Sequence, residues 1–253
     1  LQMQLDTLAE AMEKSVDIDG LLQLAAEAEE LEAGEKYTAY EQRQADAQLE
    51  RTKEEYPYMG LKIGVARDEA FCFFYEDNLD WLREQGAELV EFSPLHDAHL
   101  PKQLDGLILN GGYPELYARG LSSNKTMLAD IRMAIEYGLV TTAECGGFMY
   151  LQESMEDMEG RAWPMAGVIT GRAWKTPRLT RFGYITLQGG TAFGQETGPI
   201  NAHEFHYFDV EDCGSDWHAE KPLSTRGWDC IHAKDTLFAG FPHIYYYANE
   251  EFP

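Results

Sequence analysis

The feature that most constrains this chain is a junction. The apolar run Leu139–Ala143 leads directly into Glu144-Cys145-Gly146-Gly147. An apolar run of that length reads as a buried strand, and a glycine pair after it reads as a tight turn into a helix. Upstream, Leu61–Ala66, Ala87–Phe92 and Gly106–Leu109 are further short apolar runs. Helical patterns separate them. Phe74–Gln85 places Tyr75, Leu79 and Leu82 on one face, and Ser123–Tyr137 does so with Leu128, Ile131 and Ile135. Gly86 and Gly138 stand where those helices should end. Strands joined by helices of this length imply right-handed crossovers and a mostly parallel sheet with helices on both faces. Beyond Trp163 the rhythm becomes strand-rich, with strands expected at Ala166–Thr170, Phe182–Leu187, His203–Val210 and Ile244–Ala248. These read as antiparallel strands added to the sheet.

Residues 1–58 differ. Leu5, Leu8, Met12, Leu21, Leu22 and Leu24 have helical spacing, and Asp17 or Asp19 is placed to cap a second helix. Leu31–Tyr58 is rich in Glu, Gln and Lys and reads as a solvated helix or linker. Residues 1–58 as a whole have too little apolar mass for a core of their own, so residues 59–253 are expected to form the folded domain.

The charge balance excludes some partners. With 44 acidic against 20 basic residues the chain carries a formal charge of −24, the wrong sign for displacing counterions from nucleic acid or for adhering to anionic lipid. No apolar stretch approaches the roughly 20 residues of a membrane span, and no secretory leader opens the sequence. The four cysteines, at 72, 145, 213 and 230, include no Cys-x-x-Cys pair, so neither a disulfide scaffold nor a structural zinc site is expected. The expected location is the reducing cytoplasm.

In open α/β sheets ligands bind at the carboxyl ends of the strands. Asn110-Gly111-Gly112-Tyr113 follows the third strand and Cys145-Gly146-Gly147 the fourth, so both glycine pairs belong to that edge. A side chain on a tight strand-to-helix turn is thrust into the open, and a helix amino terminus beyond it favours thiolate. The Gly146 amide, with one from the Gly111-Gly112 turn, could hold an oxyanion. A free cysteine is ordinarily core filler, the reading that Cys72, Cys213 and Cys230 keep; the junction sets Cys145 apart.

A nucleophilic thiol needs a base. His203 and His206, three apart on one expected strand, point to opposite faces, which argues against a shared metal. His96, His99, His218 and His232 lie in polar surroundings. His243 follows Gly240-Phe241-Pro242 at the start of an aromatic run and could fold back beside the thiol.

Four blocks carry a resemblance. Val65–Phe73, Asn110–Leu116, Ala143–Leu151 and His203–Tyr207, continued by Gly240–Tyr245, resemble the glutaminase domain of cobyrinic acid a,c-diamide synthases over Leu61 to the end. The resemblance implies a flavodoxin-like class I glutamine amidotransferase fold. It implies that Cys145 attacks glutamine, that His243 serves as its base, and that Gly111, Gly112 and Gly146 line the oxyanion and substrate site. Leu1–Leu24 looks similar to the tail of an ATP-dependent synthetase domain. This chain has no Gly-x-x-x-x-Gly-Lys-[Ser/Thr] loop, so ATP, magnesium and the corrinoid acceptor are expected on that domain, and no cofactor or metal on this one.

The sequence departs from the family at Tyr245, where His or, in related amidotransferases, Glu would orient the imidazole. Tyr245, Glu204 and His203 are then the candidates for orienting or pocket residues. Ala202 and Phe208 replace the usual Gly and Ser. Two alternatives stay open: the same chemistry serving another tetrapyrrole acceptor (hydrogenobyrinic acid, nickel sirohydrochlorin or a cobyric acid precursor), or a dead flavodoxin-like binding domain.

Overall fold

The computed structural model describes residues 2–29, 56–249 and 251–252. The chain divides into two compact units, 1–51 and 52–253. In the first, α1 (Gln2–Ser15) and α2 (Ile18–Glu27) are helical as their spacing predicts, and the Asp17 carboxylate caps α2 by accepting the Gly20 amide at 2.9 Å. Leu5, Leu8, Met12, Leu21, Leu22 and Leu24 are exposed. The expected linker Leu31–Tyr58 lies almost entirely outside the described residues.

The second unit opens with β1 (Lys62–Ala66), α3 (Glu76–Glu84), β2 (Glu88–Phe92) and β3 (Gly106–Leu109). Then come α4 (Ala118–Ser123), α5 (Lys125–Glu136), β4 (Val140–Glu144) and α6 (Gly146–Tyr150). The strand-rich half contributes β5 (Gln152–Glu156), β6 (Ala162–Pro164), β7 (Ile169–Lys175), β8 (Arg181–Gln188), β9 (Ile200–His206) and β10 (Phe208–Val210). It ends with β11 (Trp217–Glu220), β12 (Gly227–Cys230), β13 (His232–Lys234), β14 (Leu237–Gly240) and β15 (His243–Ile244).

The central sheet has the order β13-β14-β4-β3-β1-β2, parallel except for the β13 edge. Alternation along its strands feeds two cores. Ala66, Leu107, Leu109, Leu237 and Ala239 point into one, with Ile131, Ile135 and Phe148 from α5 and α6. Val65, Ile108 and Phe238 point into the other, with Leu79 and Leu82 from α3. Side chains of one strand thus serve both faces, as a period of two requires.

The added strands do not simply extend this sheet. Apart from β13 and β14 they form two sheets of their own, β10-β7-β5-β6 and β12-β11-β8-β9-β15. Met155, Ala173, Phe208 and Val210 of the first sheet join the α5/α6 core, and Ile185, Leu187, Ile200 and Trp217 of the second join the α3 core. Three expected strands change in detail. Gly167 at φ +67° breaks the run at 166, so β7 starts at Ile169. The expected strand His203–Val210 divides at Tyr207 into β9 and β10, which enter different sheets. The expected strand Ile244–Ala248 ends at once: Asn78 binds the Ile244 carbonyl and the Tyr246 amide, so the chain leaves the ladder for a 3-10 turn over Tyr246–Ala248.

Ile131 is fully buried in the first core. Ile131→Ala is expected to lower the unfolding free energy by about 2–5 kcal/mol, measured by urea denaturation.

Candidate active site

Strands β4 and β14 run parallel and end together, with Gly240 beside Glu144. The Cys145 amide donates to the Gly240 carbonyl at 2.8 Å, so the pairing continues one residue past β4 and holds the turn. There Cys145 adopts φ +48° and ψ −99°, a backbone state that costs a non-glycine residue about 1–3 kcal/mol. The strain sets the side chain above the sheet edge at the start of α6, a single turn of helix. Cys145 is largely buried, at 7% exposed.

The chain leaving β14 turns through Phe241-Pro242 and delivers His243, 3% exposed, to the same edge. Its strand pairs with β9, placing His243 opposite His203. The ring packs edge-on against Phe73, with centroids 4.6 Å apart. Nδ1–H donates to Glu144 Oε2 at 3.3 Å, since a carboxylate oxygen can only accept. That leaves Nε2 for the Cys145 thiol, which is near enough to the ring to raise its affinity for a proton. Burial disfavours the imidazolium, but Cys145 and Glu144 outweigh it through hydrogen bonds and charge and raise the His243 pKa to about 10.

The Gly111-Gly112 turn completes the arrangement. Tyr113 N–H donates to the Ala70 carbonyl at 2.9 Å and Phe73 N–H to the Gly111 carbonyl at 3.1 Å, fastening the turn on both sides. A Cβ on Gly111 would collide with His243 Cε1 and stand 3.3 Å from Nδ1. A Cβ on Gly146 would lie 3.0 Å from the Gly112 nitrogen. The two glycine amides named from the sequence are therefore neighbours beside the thiol. Such a set of groups can run acyl transfer: a nucleophile, a base and two adjacent backbone amides.

The orienting candidates separate. Tyr245 faces outward, and its phenol donates to Asp77 Oδ2 at 2.9 Å. Glu204 is fully buried on the other face of β9, with Oε1 3.3 Å from Arg181 and 3.5 Å from His206 Nε2. His203 is half-buried against Phe182 and Tyr184, and burial, then the neighbouring His243, lowers its pKa. None of the three supplies the carboxylate at the imidazole. Glu144 does, and the sequence reading passed over it. Its signal was an acid closing an apolar strand directly before the thiol. The other thiols lie elsewhere: Cys72 is exposed, and burial pushes Cys213 and Cys230 up to about 12. A cavity of about 430 Å³ lies among Ile63, Gly106 and Val140 at the opposite strand ends, and neither Cys145 nor His243 lines it.

Residues 62–250 match the CobB/CobQ-like glutamine amidotransferase domain. The chain belongs to that family. A cobyrinate a,c-diamide synthase of Caldanaerobacter subterraneus subsp. tengcongensis is 38% identical over 195 residues, which cover 76% of this chain and 43% of that protein. A synthase of the same name from Listeria innocua is 34% identical over 255 residues, covering 98% of this chain and 53% of that protein. The chain thus spans about half the length of these curated relatives. A crystal structure of a glutamine amidotransferase superposes with a TM-score of 0.50 at 16% identity, covering 72% of this chain and 89% of that one. The fold is that of the glutamine amidotransferases, with a mostly parallel central sheet. Among the described residues no helix is long and apolar enough to cross a membrane.

Gly111→Ala should push the imidazole away from the sulfur. Displacement of a catalytic group by 1 Å can cost about 10²-fold, and a loss of that order is expected in the rate of Cys145 alkylation by iodoacetamide at neutral pH.

Proposed function

We propose that residues 59–253 are the glutaminase of a cobyrinate a,c-diamide synthase, releasing ammonia from glutamine through a Cys145 thioester. The observation that carries this reading is the thiol and imidazole side by side at the ends of two adjacent parallel strands, beside the Gly112 and Gly146 amides.

Cys145 Sγ attacks the side-chain amide carbon of glutamine while His243 takes the thiol proton. The carbonyl oxygen becomes an oxyanion facing the Gly112 and Gly146 amides. When the C–N bond breaks, the imidazolium returns its proton to the leaving nitrogen and ammonia departs. Water then attacks the γ-glutamyl thioester with His243 as base. Glutamate leaves, and the proton returns to sulfur.

In the longer protein the ammonia serves ATP-dependent amidation of the a and c acetate side chains of cobyrinate, in cobalamin biosynthesis. Residues 1–58 belong with a preceding synthetase domain, as a helical tail and acidic linker, and that domain holds ATP, Mg2+ and the corrinoid. Support comes from the Listeria innocua relative, whose alignment takes in 98% of this chain. The expected compartment is the cytoplasm. Other tetrapyrrole acceptors remain the test's alternative, decided by offering each to the full-length enzyme.

Cys145→Ser is expected to reduce glutamine hydrolysis by at least about 10³-fold while the melting temperature stays within a few degrees. A glutamine-mimicking electrophile should label Cys145 and spare Cys72, Cys213 and Cys230, as read by peptide mass mapping. Full hydrolysis by the serine variant would remove the reading.

A further inference from the structure

We propose that Glu144 is the positioning residue of this site, a carboxylate one residue before the nucleophile that holds the His243 ring in place of a residue beyond the histidine. The inference rests on the glutaminase reading and deepens it.

Both Glu144 oxygens are committed to the histidine segment. Oε2 accepts Nδ1–H of His243 and Oε1 accepts the Ile244 amide, each at 3.3 Å. The side chain is only 16% exposed. Such a two-point hold fixes the ring and its backbone together, and engaging Nδ1 presents Nε2 to the sulfur in the required tautomer. Tyr245, which occupies the alternative position in sequence, is turned to Asp77 instead.

The charged and titratable neighbours fit this role. Cys145 and Glu144 face the ring from the β4 turn, and His203 faces it from β9. Tyr75 and Tyr246 are near Glu144, and burial followed by the Glu144 charge raises both phenols. Glu144 is the carboxylate that an imidazolium formed when the thiol gives up its proton would face.

The discriminating variants are Glu144→Gln, Glu144→Asp and Tyr245→Phe in the full 253-residue chain, with glutamine as probe. Glu144→Gln keeps the shape and removes the charge. It should lower kcat by about 10²- to 10⁴-fold with KM within a few-fold, and Glu144→Asp should restore part of that loss. Tyr245→Phe should stay within about twofold of the parent. A merely structural role would not move the ring's titration, so ¹⁵N NMR of His243 supplies the second readout. Its apparent pKa should fall in Glu144→Gln and stay unchanged in Tyr245→Phe. Parental kcat and an unmoved His243 titration in Glu144→Gln would overturn the inference, as would a loss confined to Tyr245→Phe. Neither result touches the glutaminase reading, which stands or falls on Cys145→Ser.

Discussion

The amide of Cys145 bonded to the carbonyl of Gly240 is the contact on which the site depends. It prolongs the parallel pairing of β4 and β14 past the end of the ladder, so two strand ends open at the same height. One carries the thiol on a strained turn, and the other leads within three residues to the imidazole. Sheet geometry spaces neighbouring strands about 4.8 Å apart, so two chains leaving adjacent strand ends can bring their side chains to one place. The rest of the structure keeps those two ends still.

Close approach does much of that work. The Gly111 position is occupied by the edge of the His243 ring, and a Cβ on Gly112 would strike the Ala70 carbonyl. The backbone of the third strand's turn therefore packs where side chains would otherwise be, and its peptide groups become part of the site wall. The cost of Cys145 at positive φ is offset by bonds on either side, from its amide to Gly240 and from the Met149 amide to its carbonyl at 2.9 Å. The strain is local and the fold over-determines it.

Much of this was legible in the residues. The central strands from Leu61 to Ala143 and both crossover helices follow from period and glycine punctuation, and β3 matches its expected bounds. The junction at Cys145 marked the thiol, and His243 emerged from its place after Gly240-Phe241-Pro242. β14 was missed: Leu237–Gly240 is only a four-residue run, and its identity as a central strand depends on pairing with Thr141–Glu144, nearly a hundred residues away. Glu144 was missed for a related reason. Alternation along a strand would aim it away from Cys145, but the positive φ of the turn breaks that alternation and the histidine arrives from another strand. Tyr245 drew attention by position alone, whereas its phenol is taken by Asp77 on α3.

That helix has a mechanical meaning. Asn78 of α3 grips the Ile244 carbonyl at 2.7 Å and the Tyr246 amide at 2.9 Å, while Asp77 and Glu84 hold the phenols of Tyr245 and Tyr247. The His243 segment is thus clasped twice, by Glu144 from the sheet beside the thiol and by Asn78 from the outer helix, so the ring sits in a vice whose two jaws belong to different layers of the fold.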